Sequence, residues 1–493
     1  MKRALAAIIL ATMSLPALAQ SQTQTAADDC ACESQVLPAT LAIVNGVTIT
    51  ARDIEKATGE SVRNLQRQVI DARQRELDLL INSKLLAFEA KKRGLSTTKL
   101  LETEVVAKVT APTPTEVRAF YDQNKTRING EFDSMKDNIV RYLTDERQRS
   151  EAKKFADGLR AASNTVIKVP QATPVRNASE RALVLASING EDVTAGDVED
   201  SLQALIFDVQ EQVYGLRKNE LDLDINDLLL VQEAQKRKIT TNALLDAEVK
   251  ANPVSEDQAR TFYEQNKDRV SGDFAGAKDA IMSYLQQAEV RLAERAFVEK
   301  LRAAATIQTF LNVPQSPVFK IATEDQPSLG NANAAVTIIA FTDYQCPSCA
   351  AIHPSLERLV KENGNKVRLV ARDFPLSQHV DAFKAAEAAE AAREQGKYWE
   401  YVQVLLQNQS SLSVEKLKSF ATQLGLDRTR FDGALDSRKF AEMVQTDLDD
   451  GIRLGLKGTP SLFINGRRVT AKSYEELKES VDAALKSSVS AQR

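Results

Sequence analysis

The sequence predicts a multidomain chain: two mainly α-helical repeats followed by an α/β domain with a helical insertion. Three observations predict it. At 493 residues the chain is too long for a single hydrophobic core. Residues 40–310 contain the same pattern twice. Beyond Pro317 the pattern changes to short apolar, β-branched runs alternating with helical stretches.

The N-terminus reads as an export signal. Lys2 and Arg3 precede the apolar run "ALAAIILATMSL", and Ala17 to Ala19 form an A-x-A cleavage site. Residues 1–19 are therefore expected to be a signal peptide, with the mature chain starting at Gln20 and exported to a periplasm. No later run approaches the roughly 18 apolar residues of a spanning helix. Residues 20–39 are polar and are expected to be a disordered tail carrying Cys30 and Cys32. The formal charge of −4 with no concentrated basic patch argues against a nucleic-acid partner.

Export changes what cysteines mean, because disulfides persist in an oxidising compartment. The chain has Cys30, Cys32, Cys346 and Cys349, too few for a disulfide-stapled framework. A zinc site would need two ligands besides Cys346 and Cys349, and only His353 and His379 exist. Neither a metal nor a cofactor is expected.

Repeat 1 is placed at 40–170 and repeat 2 at 182–312. "INSKLLAFEAKKRGLSTT" (81–98) faces "INDLLLVQEAQKRKITTN" (225–242) at an offset of 144 residues. After the Pro-containing stretch "VTAPTPT" the offset is 142, where "AFYDQNKTRINGEF" (119–132) faces "TFYEQNKDRVSGDF" (261–274). Each copy opens with a hairpin signal ending in Asn-Gly, at Asn45 and Asn189. Leu77, Leu80, Ile81, Leu85 and Phe88 then form one helical apolar stripe. A later helix is expected to begin near Thr115, without a capping box there, whereas Ser255 and Gln258 match one in the second copy.

This order resembles the N-terminal chaperone module of SurA-type folding factors, on the opening hairpin, "ELDLLINSKLLAFEAKKRG" and "PTPTEVRAFYDQNK". Where that family often carries a parvulin prolyl-isomerase domain, only "TRING" and "DRVSG" stand here, so isomerase activity is not implied. The resemblance implies modules that hold unfolded clients or join subunits into a homo-oligomer; structural spacers are the bland alternative.

From 317 to 489 the order is strand (334–344), helix to about Asn363, strand (366–376), helices from His379 to about Leu456, a hairpin over 459–470, and a last helix from Tyr474 to Leu485. That order is a thioredoxin fold with an inserted helical domain. Cys346 falls at the junction of strand and helix, with Pro347 at the first helical position. Free N–H groups and the positive end of the helix dipole then face its sulfur and favour a thiolate. Cys349, one turn on, is expected to be more buried and to be the resolving thiol.

"SLGNANAAVTIIAFTDYQCPSC", "RDFPLSQH", "EQGKYWEY" and "GLKGTPSLFINGRRV" resemble the DsbA-type thiol-disulfide oxidoreductases. The resemblance implies catalysis by Cys346 and Cys349 and a cis Thr459–Pro460 bond beside them, with Thr459 presenting its backbone to an extended client. It implies unfolded secreted proteins as clients and a separate redox partner. Many relatives carry an acid six positions before the first cysteine; here Ala340 stands there, and Asp343 is the nearby carboxylate. The dipeptide between the cysteines is Pro-Ser rather than Pro-His, leaving the direction of exchange open. His353 reads as structural and His379 as a helix-start residue without chemistry. For Cys30 and Cys32 a C-x-C disulfide, an intermolecular crosslink and a relay to Cys346 stay open. The rival to an oxidoreductase is a non-catalytic chaperone with a vestigial CxxC.

Overall fold

The computed structural model describes residues 30–491, apart from 31, 33–35, 129, 170, 171, 173, 268, 471 and 472. The expected signal peptide and residues 20–29 lie outside the described residues.

The first half runs β1 (Thr40–Val44), β2 (Val47–Thr50), α1 (Ala51–Arg93), α2 (Thr97–Glu104), α3 (Pro114–Asn124), α4 (Phe132–Ala162) and β3 (Thr165–Ile167). After a short α5 (Ala178–Arg181), the same order returns as β4 (Val184–Ile188), β5 (Glu191–Thr194), α6 (Ala195–Arg237), α7 (Thr241–Glu248), α8 (Glu256–Gln265), α9 (Phe274–Ala304) and β6 (Ile307–Thr309). α1 and α6 are both 43 residues long. Each starts at a capping box, Thr50 with Asp53 and Thr194 with Asp197. The helix expected from Thr115 begins at Pro114, because Thr113 and Glu116 form the capping box. Taking Thr115 as the start misassigned the cap by two residues.

Strand pairing ties the halves together. β6 pairs with β1, Val44 opposite Ile307, and β3 pairs with β4, Thr165 opposite Ile188. Each half thus closes the other half's hairpin. The long helices cross over in the same sense. Leu77, Ile81 and Leu85 of α1 pack beneath Leu185, Ala186 and Ile188, whereas Leu221, Ile225 and Leu229 of α6 pack beneath Leu41, Ala42 and Val44.

Cys30 and Cys32 correct the reading of a disordered tail at that point. They form a disulfide and are both buried among Val62, Val69, Val209 and Val213. Arg73 of α1, itself buried, donates to the Cys30 carbonyl at 2.6 Å and pairs with Glu199 of α6 at 2.6 Å. Gln210 of α6 donates to the Cys32 carbonyl. The contacts that bury this segment come from residues 30 to 180 positions away, so local composition carries no trace of them.

The second part is a five-stranded sheet of order β11-β10-β8-β9-β7, built from β7 (Ser328–Gly330), β8 (Val336–Thr342), β9 (Val367–Asp373), β10 (Ser461–Ile464) and β11 (Arg467–Val469). β8 and β9 are parallel and the other pairings antiparallel. α10 (Pro347–Asn363) and α16 (Tyr474–Ala491) cover one face through Leu356, Leu359, Leu477 and Val481. The insertion holds α11 (Ala382–Arg393), α12 (Tyr398–Gln407), α13 (Val414–Gln423), α14 (Arg428–Asp436) and α15 (Ala441–Arg453). Within the helical stretch expected from His379, α11 and α12 are separate helices, with the chain broken at Gly396, φ +73°. β7 has no counterpart in the sequence reading; three residues carry too little periodicity.

The two parts touch. Ala204 of α6 enters the apolar cluster of Phe319, Phe341, Phe374, Leu456 and Phe463 on the other face of the sheet. Gly455, at φ +70°, permits this approach: a Cβ there would stand 3.2 Å from that of Ala204. Lys457 pairs with Asp208 of α6 at 2.8 Å.

The exchanged packing makes one folding unit of the two halves. Ile225→Ala should cost about 2–5 kcal/mol. Hydrogen-exchange protection of the β1 amides, in the other repeat, should fall with it. Unchanged protection in β1 would show two independent units.

Candidate active site

β8 runs buried up to Thr342, and the chain turns through Asp343, Tyr344 and Gln345 to Cys346, the N-cap of α10. Pro347 fills the first helical position. The helix therefore begins with N–H groups that no intrahelical carbonyl takes up. Cys346 is 7% exposed and Cys349 1%. Pro347 and Ser348 between them are exposed.

The two thiols are displaced in opposite directions. Burial pushes Cys346 up, but the contact with Thr459 and the Cys349 and Ser348 N–H groups outweigh it, and the net displacement is below the ordinary thiol value. Burial dominates at Cys349. The Asp343 N–H and Thr459 pull down, the neighbouring Cys346 pushes up, and the thiol is held at about 12.

Thr459 comes from the loop before β10, and its bond to Pro460 is cis. The Cys346 thiol donates to the Thr459 carbonyl at 3.4 Å. The Thr459 hydroxyl is buried, has no hydrogen bond of good geometry, and lowers both thiols. The structure thus brings Cys346, Cys349, Thr459 and Pro460 to one place.

Ala340 is buried in the apolar cluster of Leu356, Leu359 and Leu462, so no carboxylate occupies that position. The Asp343 carboxylate is turned elsewhere, accepting the Gln345 N–H at 2.7 Å, the Leu376 N–H at 2.8 Å and His379 Nδ1 at 2.8 Å. His379, read as chemically idle, is therefore a partner of the turn before Cys346; its place in "RDFPLSQH" was the available signal. His353 is buried against Trp399, ring centroids 6.1 Å apart, with Glu357 3.2 Å from Nε2. Gln409, after α12, donates to the carbonyls of Tyr344 and Cys346 at 3.0 and 2.8 Å. Nothing in the sequence singled it out.

Beneath the turn lies a buried acidic cluster. Tyr344 donates to Asp373 at 3.1 Å and shares a 2.8 Å hydrogen bond with Tyr398. Burial, then the Glu390 and Asp447 carboxylates, hold Asp373 well above the ordinary carboxylate value. Among the described residues no group of three or more His, Cys, Asp or Glu side chains is arranged to hold a metal.

Residues 322–483 match the thioredoxin family model. This part of the chain is a thioredoxin fold. The match leaves both helical repeats outside it. The chain is 39% identical over 140 residues to a sodium/proton antiporter of Salinispora tropica, covering 28% of this chain and 21% of that protein. An antiporter of Herminiimonas arsenicoxydans is 35% identical over 159 residues, covering 32% and 25%. The chain thus spans about a fifth to a quarter of the length of these relatives. Among the described residues no helix is long and apolar enough to cross a membrane. Solved structures with similarity include a thioredoxin-like oxidoreductase from Silicibacter pomeroyi (30% identity, 33% of this chain and 94% of that one, TM-score 0.31). Another is BdbD from Bacillus subtilis (23%, 35% and 99%, TM-score 0.32).

Two outcomes follow from the displaced groups. With the thioredoxin-fold thiols reduced, iodoacetamide at mildly acidic pH should label Cys346 at least tenfold faster than Cys349, read by peptide mass spectrometry; equal or reversed labelling would contradict the asymmetry. Asp373 gives a pH dependence. A carboxyl raised in the folded state favours folding below its unfolded value, near 3.8, and this contribution is lost as pH rises through the folded value. Asp373→Asn should therefore melt higher than the parent by a margin that grows as pH rises above about 4. A margin that does not change above that pH would show that Asp373 is not raised in the folded protein.

Proposed function

We propose that the chain is an exported, DsbA-type protein thiol-disulfide oxidoreductase acting on cysteines of unfolded or partly folded secreted proteins. The observation that carries this is the opposite displacement of two thiols in one CxxC at a helix start. In the oxidising direction a client thiolate attacks Cys346 Sγ, the Cys346–Cys349 bond breaks, and Cys349 leaves with the electron pair and takes up a proton. A second client thiolate then attacks the client sulfur, and Cys346 leaves as thiolate. The client loses two electrons and the CxxC pair gains them. Because Cys346 is the stabilised thiolate, it is the better leaving group. A membrane-bound or soluble redox partner must then take the two electrons. Pro347 and Ser348 are exposed around the sulfurs, and the Thr459 loop lies beside them; both suit an extended polypeptide. The helical unit is assigned to holding the client or joining subunits.

The test uses Cys349→Ser in the full chain. It should accumulate mixed disulfides with a reduced, unfolded, cysteine-containing protein added after activation of Cys346 as its glutathione adduct. Cys346→Ser should trap none. Absence of trapped client with Cys349→Ser would favour a non-catalytic role. Deleting 40–312 should leave oxidation of a small dithiol peptide within about twofold while lowering the rate on an unfolded protein severalfold. Equal survival of both activities would make the repeats spacers.

A further inference from the structure

Gln409 reaches the CxxC turn from the helical insertion. Its side-chain amide nitrogen donates to the Tyr344 carbonyl at 3.0 Å and to the Cys346 carbonyl at 2.8 Å. The loop that carries it is fastened on both sides. Before it, Asn408 closes α12, donating its N–H to the Leu405 carbonyl and its side-chain amide to the Val404 carbonyl. After it, the Ser411 N–H returns to the Asn408 carbonyl, and Leu412 is buried in the core of the insertion.

The two carbonyls frame the nucleophile. Cys346 is the N-cap of α10, with ψ 120°. Its carbonyl takes the first helical N–H groups, those of Cys349 at 3.1 Å and Ala350 at 3.3 Å. Rotation about ψ of Cys346 moves this carbonyl and, with it, the start of the helix relative to the sulfur. Gln409 makes the shortest of the three contacts to that carbonyl. Among the described residues no other donor reaches the Tyr344 carbonyl. The Tyr344 side chain is held separately, by Asp373 and Tyr398. One amide group thus pins two peptide groups, with Gln345 and Cys346 between them.

We propose that Gln409 is a positioning residue for Cys346: by holding the Tyr344 and Cys346 carbonyls it keeps the Cys346 sulfur set against the N-terminus of α10. The inference rests on the thiol-exchange reading above. Without Gln409 the Cys346 carbonyl keeps its two helical donors, so the helix persists while the residue before it is freed to rotate. The sulfur then spends less time against the positive end of the helix, and the thiolate is less favoured.

The probe is iodoacetamide with the full chain, its CxxC thiols reduced. The Cys346 thiolate forms a bond to the methylene carbon and iodide leaves. The rate against pH gives a midpoint, set by ionisation, and a plateau, set by access; peptide mass spectrometry reads each site. The ionisable groups of the elements around the turn are Asp343 and Tyr344 within it, Cys349 on α10, Asp373 on β9, His379 beyond β9 and Tyr398 on α12. All are common to parent and variant, so a difference between their profiles belongs to position 409. Gln409→Met keeps the length of the side chain and removes the donor. It should raise the Cys346 midpoint by about half a unit or more, which is about threefold slower labelling below the midpoint, and leave the plateau within about twofold. Gln407→Met, at the exposed end of α12, should match the parent. A glutamine that only stabilises the fold would lower the melting temperature and leave the midpoint in place. If Gln409→Met does not fold, Gln409→Ala is measured the same way against the same expectation. The inference is overturned by an unaltered midpoint, by equal slowing at every pH, or by a Gln407→Met midpoint displaced as far as that of Gln409→Met. A parent midpoint no lower than that of an ordinary cysteine, about 8.5, would overturn the exchange reading itself, a different result from any of these.

Discussion

The chemistry of this chain depends on unpaired N–H groups at the start of α10. A thiol buried to 7% exposure would ordinarily resist ionisation. Donors aimed at Cys346 reverse that, and they exist because the helix begins there and Pro347 occupies its first position. The helix begins there because β8 ends at Thr342, where the parallel register with β9 also ends, Thr342 facing Asp373. Cys349, one turn further in, gains burial without equivalent donors, so the same helix that activates one thiol suppresses the other. The asymmetry that exchange needs is a property of one strand–turn–helix junction.

Much of that junction was legible in the residues. The continuous apolar run before "DYQCPSC" marks a buried strand, and Pro347 marks a helix start. These two signals place Cys346 at a helix N-terminus without reference to the remainder of the chain. What could not be read were the contacts from far away. Gln409 reaches Tyr344 and Cys346 from the helical insertion, and His379 reaches Asp343 across 36 positions. Both are polar residues in loops, indistinguishable by composition from solvent-facing ones. The Asp343 carboxylate, close to the cysteines in sequence, is taken up by three other donors.

The repeats show a different limit. Their offsets identify equivalent residues, and the capping boxes at Thr50 and Thr194 recur as equivalence demands. Equivalence is also why strand partners stay hidden: β3 and β6 answer the same pattern, and either satisfies the hairpin of either half. The exchange is written in the tertiary packing, where Ile225 lies under Ala42 and Ile81 under Ala186. Burial of Cys30 and Cys32 is similarly nonlocal. The crossing of α1 and α6 supplies the valines, Arg73 and Gln210, and none of these appears near the C-x-C motif.

The contact between the helical unit and the thioredoxin fold bears on the site directly. Ala204 and Asp208, one turn apart on α6, meet Gly455 and Lys457. Thr459 follows two residues later, carrying the carbonyl and hydroxyl that lie beside the sulfurs. The Lys457–Asp208 pair is largely exposed at the lysine and stabilises little by itself. The apolar part is different, because Ala204 is enclosed by a cluster that also holds Phe341, the residue before the end of β8, and Phe463 of β10. That cluster spans the strand leading into the CxxC turn and the strand leaving the Thr459 loop. One side chain of α6, Ala204, thus packs against the cluster that backs both strands of the site, while the CxxC turn and the Thr459–Pro460 bond are set within the thioredoxin fold itself.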